Sequence, residues 1–236
     1  MTRRIVFLCS GGGGNLRFIV QAAALGALPD AVVCAVITDR ECLANRFARE
    51  HGVSTRVLDF TADAQQAIVA ALDDVAADMV VTNVHKILTE PVVDLYRGKL
   101  INLHYSLLPA YGGVIGTRPV EMALADGAKF IGVTAHEVAA TVDTGRAIVQ
   151  GVIPTMPQDT VTTIMDTVFR SGCLALLEAL QATAAPVGRE TNYVRLHGRH
   201  VCFNRALSFA PDLFDEAFWL DLAAYPDLPD TTEVLQ

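Results

Sequence analysis

Short aliphatic runs alternate with longer amphipathic stretches through the first half of the chain, and this alternation limits the fold more than any other feature. "RIVFLC", "AVVCAVIT", "VSTRVLDF", "DMVVTNV" and "KLINLH" read as strands. Between them, "NLRFIVQAAALG", "ECLANRFAREHG", "ADAQQAIVAALDDVAA" and "TEPVVDLYRG" carry apolar residues at helical spacing. In the last of these, Pro91 near the start and Gly98 past the end follow the favoured order for a helix. Val/Ile-rich strands separated by helices are buried on both faces. The expected class is α/β: a mainly parallel, twisted sheet with helices on both faces. The 236 residues, 52% of them apolar and 19% charged, are enough for a large core in a globular protein.

The second half changes pattern. "RPVEMALADG" reads as a helix, and "FIGVTAHEV" and "RAIVQGVIP" as strands pairing antiparallel across "AATVDTG". A long amphipathic helix is expected over 159–185, with Asp159 or Thr160 as its cap. From Pro186 the composition shifts to a hairpin around Gly198 and an acidic-aromatic helix, "DLFDEAFWLDLAAY". The expected division is a core of residues 1–186 and a small C-terminal extension, 187–236. Phe214, Phe218 and Trp219 lie close together on that last helix, as a face docking on the core or on a subunit partner; a homodimer is expected from the latter.

Several classes are excluded. The apolar run Ile5–Cys9 is too short for a signal peptide or a membrane span, and glycines follow it at once. Five scattered cysteines without a C-x-x-C pair point to a reducing cytoplasm and no disulfide scaffold, and no metal is expected. A net charge of −8 without a Lys/Arg block leaves no footprint for nucleic acid.

Two stretches carry chemistry. "SGGGGN" (Ser10–Asn15) follows the first strand and opens a helix, where free N–H groups and glycines let an anion approach the backbone. It matches neither a P-loop nor a strict G-x-G-x-x-G. A tight strand–helix turn would need only one or two glycines, so four point to a ligand. Asn15 serves there as helix cap, as phosphate contact, or as both. The second stretch is "INLHYSLLPAYGG" (101–113), which places Asn102 and His104 on one strand face at the strand's carboxyl end. Ligands of open α/β sheets bind at such ends. Further on, His136 and Asp143 lie in "AHEVAATVDTGRA". Singly, Asn102 reads equally as a loop cap, Asp143 as the shaper of the "DTG" turn, and the histidine as structural. Together, an amide donor, an imidazole and a carboxylate suit attack on a carbonyl carbon without a covalent enzyme intermediate.

"NLHYSLLP" resembles the N-x-H-x-S-x-L-P signature of the folate-dependent formyltransferases. "VDTG" at 142–145 is similar to that family's downstream L/V-D-x-G site, and "SGGGGNL" to the "SGxGSNL" phosphate loop of its glycinamide ribonucleotide branch. The resemblance covers roughly residues 3 to 180 and implies the Rossmann-like formyltransferase fold. It implies catalysis by Asn102, His104 and Asp143, and 10-formyltetrahydrofolate as the formyl donor. It places the pterin between "NVHKILTEP", with Val84, Lys86, Ile87 and Leu88, and the turn from Val138 through Ala139, Ala140 and Thr141 to Asp143. His85 departs from the family pattern and is expected to face solvent; His136 matches a family histidine, expected behind the catalytic groups.

For the amine acceptor the resemblance implies Gly12, Gly13, Gly14 and Asn15 as the phosphate loop. Arg118 is the candidate for an acceptor carboxylate or phosphate, or else a surface helix-start arginine. Glycinamide ribonucleotide, a purine-biosynthesis intermediate, leads. Departures are the missing loop serine, the long stretch "AYGGVIGTRPVEMAL" and the lack of a Gln/Glu pair in "TVFRSGCLALLEAL". A specialised-metabolite amine such as hydroxyornithine or an amino sugar is the alternative. Hydrolysis of formyltetrahydrofolate, with water in place of the amine, and a non-catalytic binding module are the others. Methionyl-tRNA is not expected, for want of a basic C-terminal domain.

Overall fold

Strand β1 (Arg3–Cys9) shows how the sheet is covered: Ile5, Phe7 and Cys9 enter one apolar cluster, while Val6 and Leu8 enter another. With a side-chain period of two, a strand buried throughout must meet apolar partners on both faces. The computed structural model describes residues 2–182 and 192–225. β1 is followed by α1 (Gly14–Ala24), β2 (Ala31–Thr38), α2 (Leu43–Glu50), β3 (Ser54–Val57), α3 (Gln66–Asp74), β4 (Met79–Asn83), α4 (Glu90–Leu95) and β5 (Leu100–His104). Then come α5 (Arg118–Ala125), β6 (Phe130–Glu137), β7 (Ala147–Pro154), α6 (Val161–Gln181), β8 (Tyr193–Leu196), β9 (Arg199–Phe203) and α7 (Glu216–Ala223).

The nine-stranded sheet has the order β3-β2-β1-β4-β5-β6-β7-β9-β8. Strands β3 to β5 of that order are parallel, and antiparallel pairing begins at β6. The chain winds outward from β1 to β3, then crosses back to place β4 on the other side of β1. This reversal opens a crevice at the carboxyl ends of β1 and β4, where ligands of such sheets bind. In β2 a register shift opposite Ile5 and Val6 exchanges the faces: Val33 and Val36 join one cluster, Ala35 and Ile37 the other.

α3 and α4 cover one face; α1, α2, α5 and α6 cover the other. α6 is buried on all sides from Arg170 to Leu180, because the sheet lies against one flank and the C-terminal segment against the other. Its cap is Thr160, whose hydroxyl accepts from the Thr163 N–H at 3.3 Å. Asp159, the other candidate, instead holds Arg199 of β9 through two bonds of 2.5 and 2.8 Å. Burial would raise the Asp159 pKa, but the Arg199 hydrogen bonds and the Met156 N–H outweigh it and hold the carboxyl below its usual value.

The expected C-terminal hairpin is β8–β9, and β9 pairs with β7, so it extends the sheet. Val194, Val201, Phe203, Phe214 and Trp219 enter the same cluster as α1 and α6. Trp219 stacks on Phe18 of α1, with centroids 5.3 Å apart, so the clustered aromatics dock on the core. The boundary expected at 186 and the last expected residues of α6, 183–185, lie outside the described residues. No helix among the described residues is long and apolar enough to cross a membrane.

Candidate active site

The register of β5 against β6 pairs Asn102 with His136 and His104 with Thr134. Ile101 turns to the α1/α6 face, so Asn102, His104 and His136 project together from the α3/α4 face, near the carboxyl end of β4. The His136 ring is 2% exposed. Burial lowers its pKa; the Glu137 hydrogen bond and the Asp143 charge oppose this less strongly, and His104 adds to it. The neutral ring donates from Nδ1 to the Glu137 carbonyl at 2.8 Å. Its Nε2 is then an acceptor, and the Asn102 amide nitrogen lies 3.3 Å away. His136 thereby sets which way the Asn102 amide faces.

Asp143 reaches the same point from the turn between β6 and β7. Its Oδ2 lies 3.4 Å from His104 Nδ1 and its Oδ1 lies 3.6 Å from His136 Nε2. The Gly113 N–H donates to Oδ2 at 2.8 Å, tying the loop after β5 to this turn. Asp143 has a left-handed backbone, φ 56°, a conformation that an Asp tolerates better than most residues. Two positions on, a Cβ on Gly145 would fall 1.6 Å from the Glu137 carbonyl oxygen, so only glycine closes the turn. On the far side of His104, Nε2 lies 3.0 Å from the Tyr111 carbonyl oxygen. Both its ring nitrogens therefore face oxygen atoms, the Tyr111 carbonyl and the Asp143 carboxylate.

These groups line a cavity of about 290 Å³. Val84, Lys86, Ile87 and Leu88 line it from the segment after β4, and Val138, Ala139 and Ala140 from the segment after β6. Thr141 does not line it: the residue is exposed, and its carbonyl accepts from Thr144 Oγ1 at 2.9 Å, within the turn that presents Asp143. His85, expected in solvent, is exposed but stands at the rim, its N–H directed to Ser10 Oγ at 3.3 Å. Asn83 and Val142, inside the two expected stretches, line it too; Thr82, Tyr105, Ile115 and Gly116 also line the cavity and carried no signal, because contacts distant in sequence bring them there. Ile87 and Ile115, 71% and 64% exposed, leave the mouth apolar and uncovered.

The glycine loop adjoins this cavity without lining it. α1 begins at Gly14 with Gly13 as its N-cap and no side-chain capping bond, so the helix start offers backbone N–H groups. A Cβ on Gly11 or Gly12 would meet nothing within 4 Å, so packing is not what calls for glycine there. At Gly13, φ is +67° and Ala44 lies against the site; at Gly14, the Phe169 ring would lie 3.0 Å from an added Cβ. Asn15 is neither the cap nor directed at the loop. It is 5% exposed, its Oδ1 lies 3.5 Å from the Cys173 thiol, and it stands with Tyr105 in the cavity wall. Arg118 opens α5 as an exposed residue outside the cavity wall, since Pro119 behind it carries the buried contact.

A formyl transferase family model matches residues 3–180. Phosphoribosylglycinamide formyltransferase of Mycobacterium tuberculosis is 35% identical over 211 residues, covering 87% of this chain and 93% of that protein. The chloroplastic phosphoribosylglycinamide formyltransferase of Vigna unguiculata is 30% identical over 166 residues, 67% of this chain; the match spans 53% of that protein's own length. Among solved structures, glycinamide ribonucleotide transformylase 1 from Symbiobacterium toebii is similar, with a TM-score of 0.71 and 28% identity over 85% of this chain and 93% of that one.

Proposed function

The chain belongs to the formyl transferase family, and on that premise we propose that it moves the formyl group of 10-formyltetrahydrofolate to the primary amine of glycinamide ribonucleotide. The observation that carries this reading is the meeting of Asn102, His104 and Asp143 in one cavity. One end of that cavity is walled by apolar residues fit for a folate ring, and the other adjoins the glycine loop.

The amine nitrogen attacks the formyl carbon, and the carbonyl oxygen takes up negative charge. The Asn102 amide holds one N–H toward His136 and has a second for that oxygen. His104 supplies the other donor: a charged oxyanion is a stronger acceptor than the neutral Tyr111 carbonyl and replaces it at Nε2. Asp143 balances the imidazolium and, through water, relays the proton leaving the amine to N10. The carbon–N10 bond then breaks, releasing tetrahydrofolate and the formylated amine.

The test is to follow tetrahydrofolate release with 10-formyltetrahydrofolate and, separately, glycinamide ribonucleotide, hydroxyornithine, an amino sugar, or no amine. Turnover confined to glycinamide ribonucleotide is expected. Equal release without amine identifies a hydrolase, and turnover with another amine alone reassigns the acceptor.

A further inference from the structure

Tyr105 lines the cavity but takes no part in the chemistry above. It directly follows β5, so the pleat turns it away from His104 and toward α1 and α6. Gly172 of α6 makes room for it: a Cβ there would lie 3.0 Å from the tyrosine ring. The cavity therefore passes around the carboxyl edge of the sheet. Val138 packs with the α3/α4 face and Tyr105 with the α1/α6 face, and both line the cavity together with Asn15 and Asn102.

The Cys173–Asn15 hydrogen bond gives the phenol a direction. The Cys173 thiol is fully buried, and burial raises its pKa well above the usual value, so it keeps its proton. It donates to Asn15 Oδ1 at 3.5 Å. The Asn15 amide nitrogen is thereby left for Tyr105, its neighbour in the cavity wall, and an N–H can only donate. The phenol oxygen accepts, and its own proton remains for another partner. Burial raises the Tyr105 pKa as well, so that proton stays in place.

We propose that the Tyr105 hydroxyl donates a hydrogen bond to an oxygen of the amine substrate, and that Cys173 and Asn15 fix its direction. The inference rests on the transferase reading. In glycinamide ribonucleotide the oxygen nearest the reacting group is the amide carbonyl next to the aminomethyl carbon, and this is the atom assigned to Tyr105.

Tyr105→Phe keeps the ring beside Gly172 and deletes only the hydroxyl. With glycinamide ribonucleotide varied against saturating donor, its KM is expected to rise roughly five- to tenfold, while kcat and the donor KM stay within about twofold. Cys173→Ala, which frees the Asn15 amide to turn, is expected to raise the acceptor KM in the same way. Cys173→Ser, which keeps a donor, is expected to leave it unchanged. An unchanged acceptor KM in Tyr105→Phe, or an equal rise in the donor KM, overturns the inference alone. Failure of the unsubstituted protein to use this amine overturns the glycinamide ribonucleotide reading and takes the inference with it.

Discussion

His104 and His136 share one sheet face, yet their ring nitrogens meet opposite chemistry. His104 faces a carbonyl and the Asp143 carboxylate, whereas His136 faces a carbonyl and an amide N–H, with the same carboxylate farther off at 3.6 Å. The His136 ring stays neutral and holds Asn102, while the His104 ring keeps both nitrogens toward oxygen atoms. Since burial lowers the His136 pKa from the ordinary 6.5, the unfolded chain binds a proton below that value which the native state resists. Stability should therefore fall as pH drops through about 6.5, and His136→Gln should lose less over the same interval. Urea midpoints of both proteins between about pH 7.5 and 5.5 check this; parallel curves contradict it. Asn102 and His104 were legible in the sequence because a strand's period of two is local. Tyr105 was not, since its role depends on Asn15 and on Gly172 and Cys173 of α6, all distant in sequence.

At the scale of elements, the turn between β6 and β7 is the part on which the site depends. Its Asp-x-Gly chemistry could be read directly, but the left-handed backbone of Asp143 and the contact of Gly145 with the Glu137 carbonyl could not. Gly145→Ala would drive that carbonyl or the turn away and carry Asp143 from His104. A displacement of about an ångström at a reacting group costs roughly 100-fold, and kcat should fall by about that much. Overpacking should cost about 1–3 kcal/mol of stability, read by thermal melting, so a folded but slow protein is expected. Unchanged kcat contradicts the assignment of the turn. The cap of α6 gives a second lesson. Asp159 and Thr160 are equally good caps on local grounds, and Arg199 on β9 decides between them by claiming the aspartate.

For the whole molecule, alternation of apolar runs and helices was enough to place the parallel half of the sheet, because each crossover is a property of neighbouring segments. The edge strands β9 and β8 were not placed by it; the hairpin was legible, but its docking on β7 is a long-range pairing. Likewise the clustered aromatics of α7 suited a core or a partner equally until Phe18 was seen beneath Trp219. The molecule brings the ends of β1, β4, β5 and β6 to one edge, and there the amide and the imidazole converge. The most direct test is tetrahydrofolate release by Asn102→Ala and His104→Ala at saturating donor and glycinamide ribonucleotide. Loss of one oxyanion donor predicts turnover lower by about 100- to 1000-fold in each, or about 2.7–4 kcal/mol of transition-state stabilisation. Turnover within about tenfold of the unsubstituted protein would contradict the account.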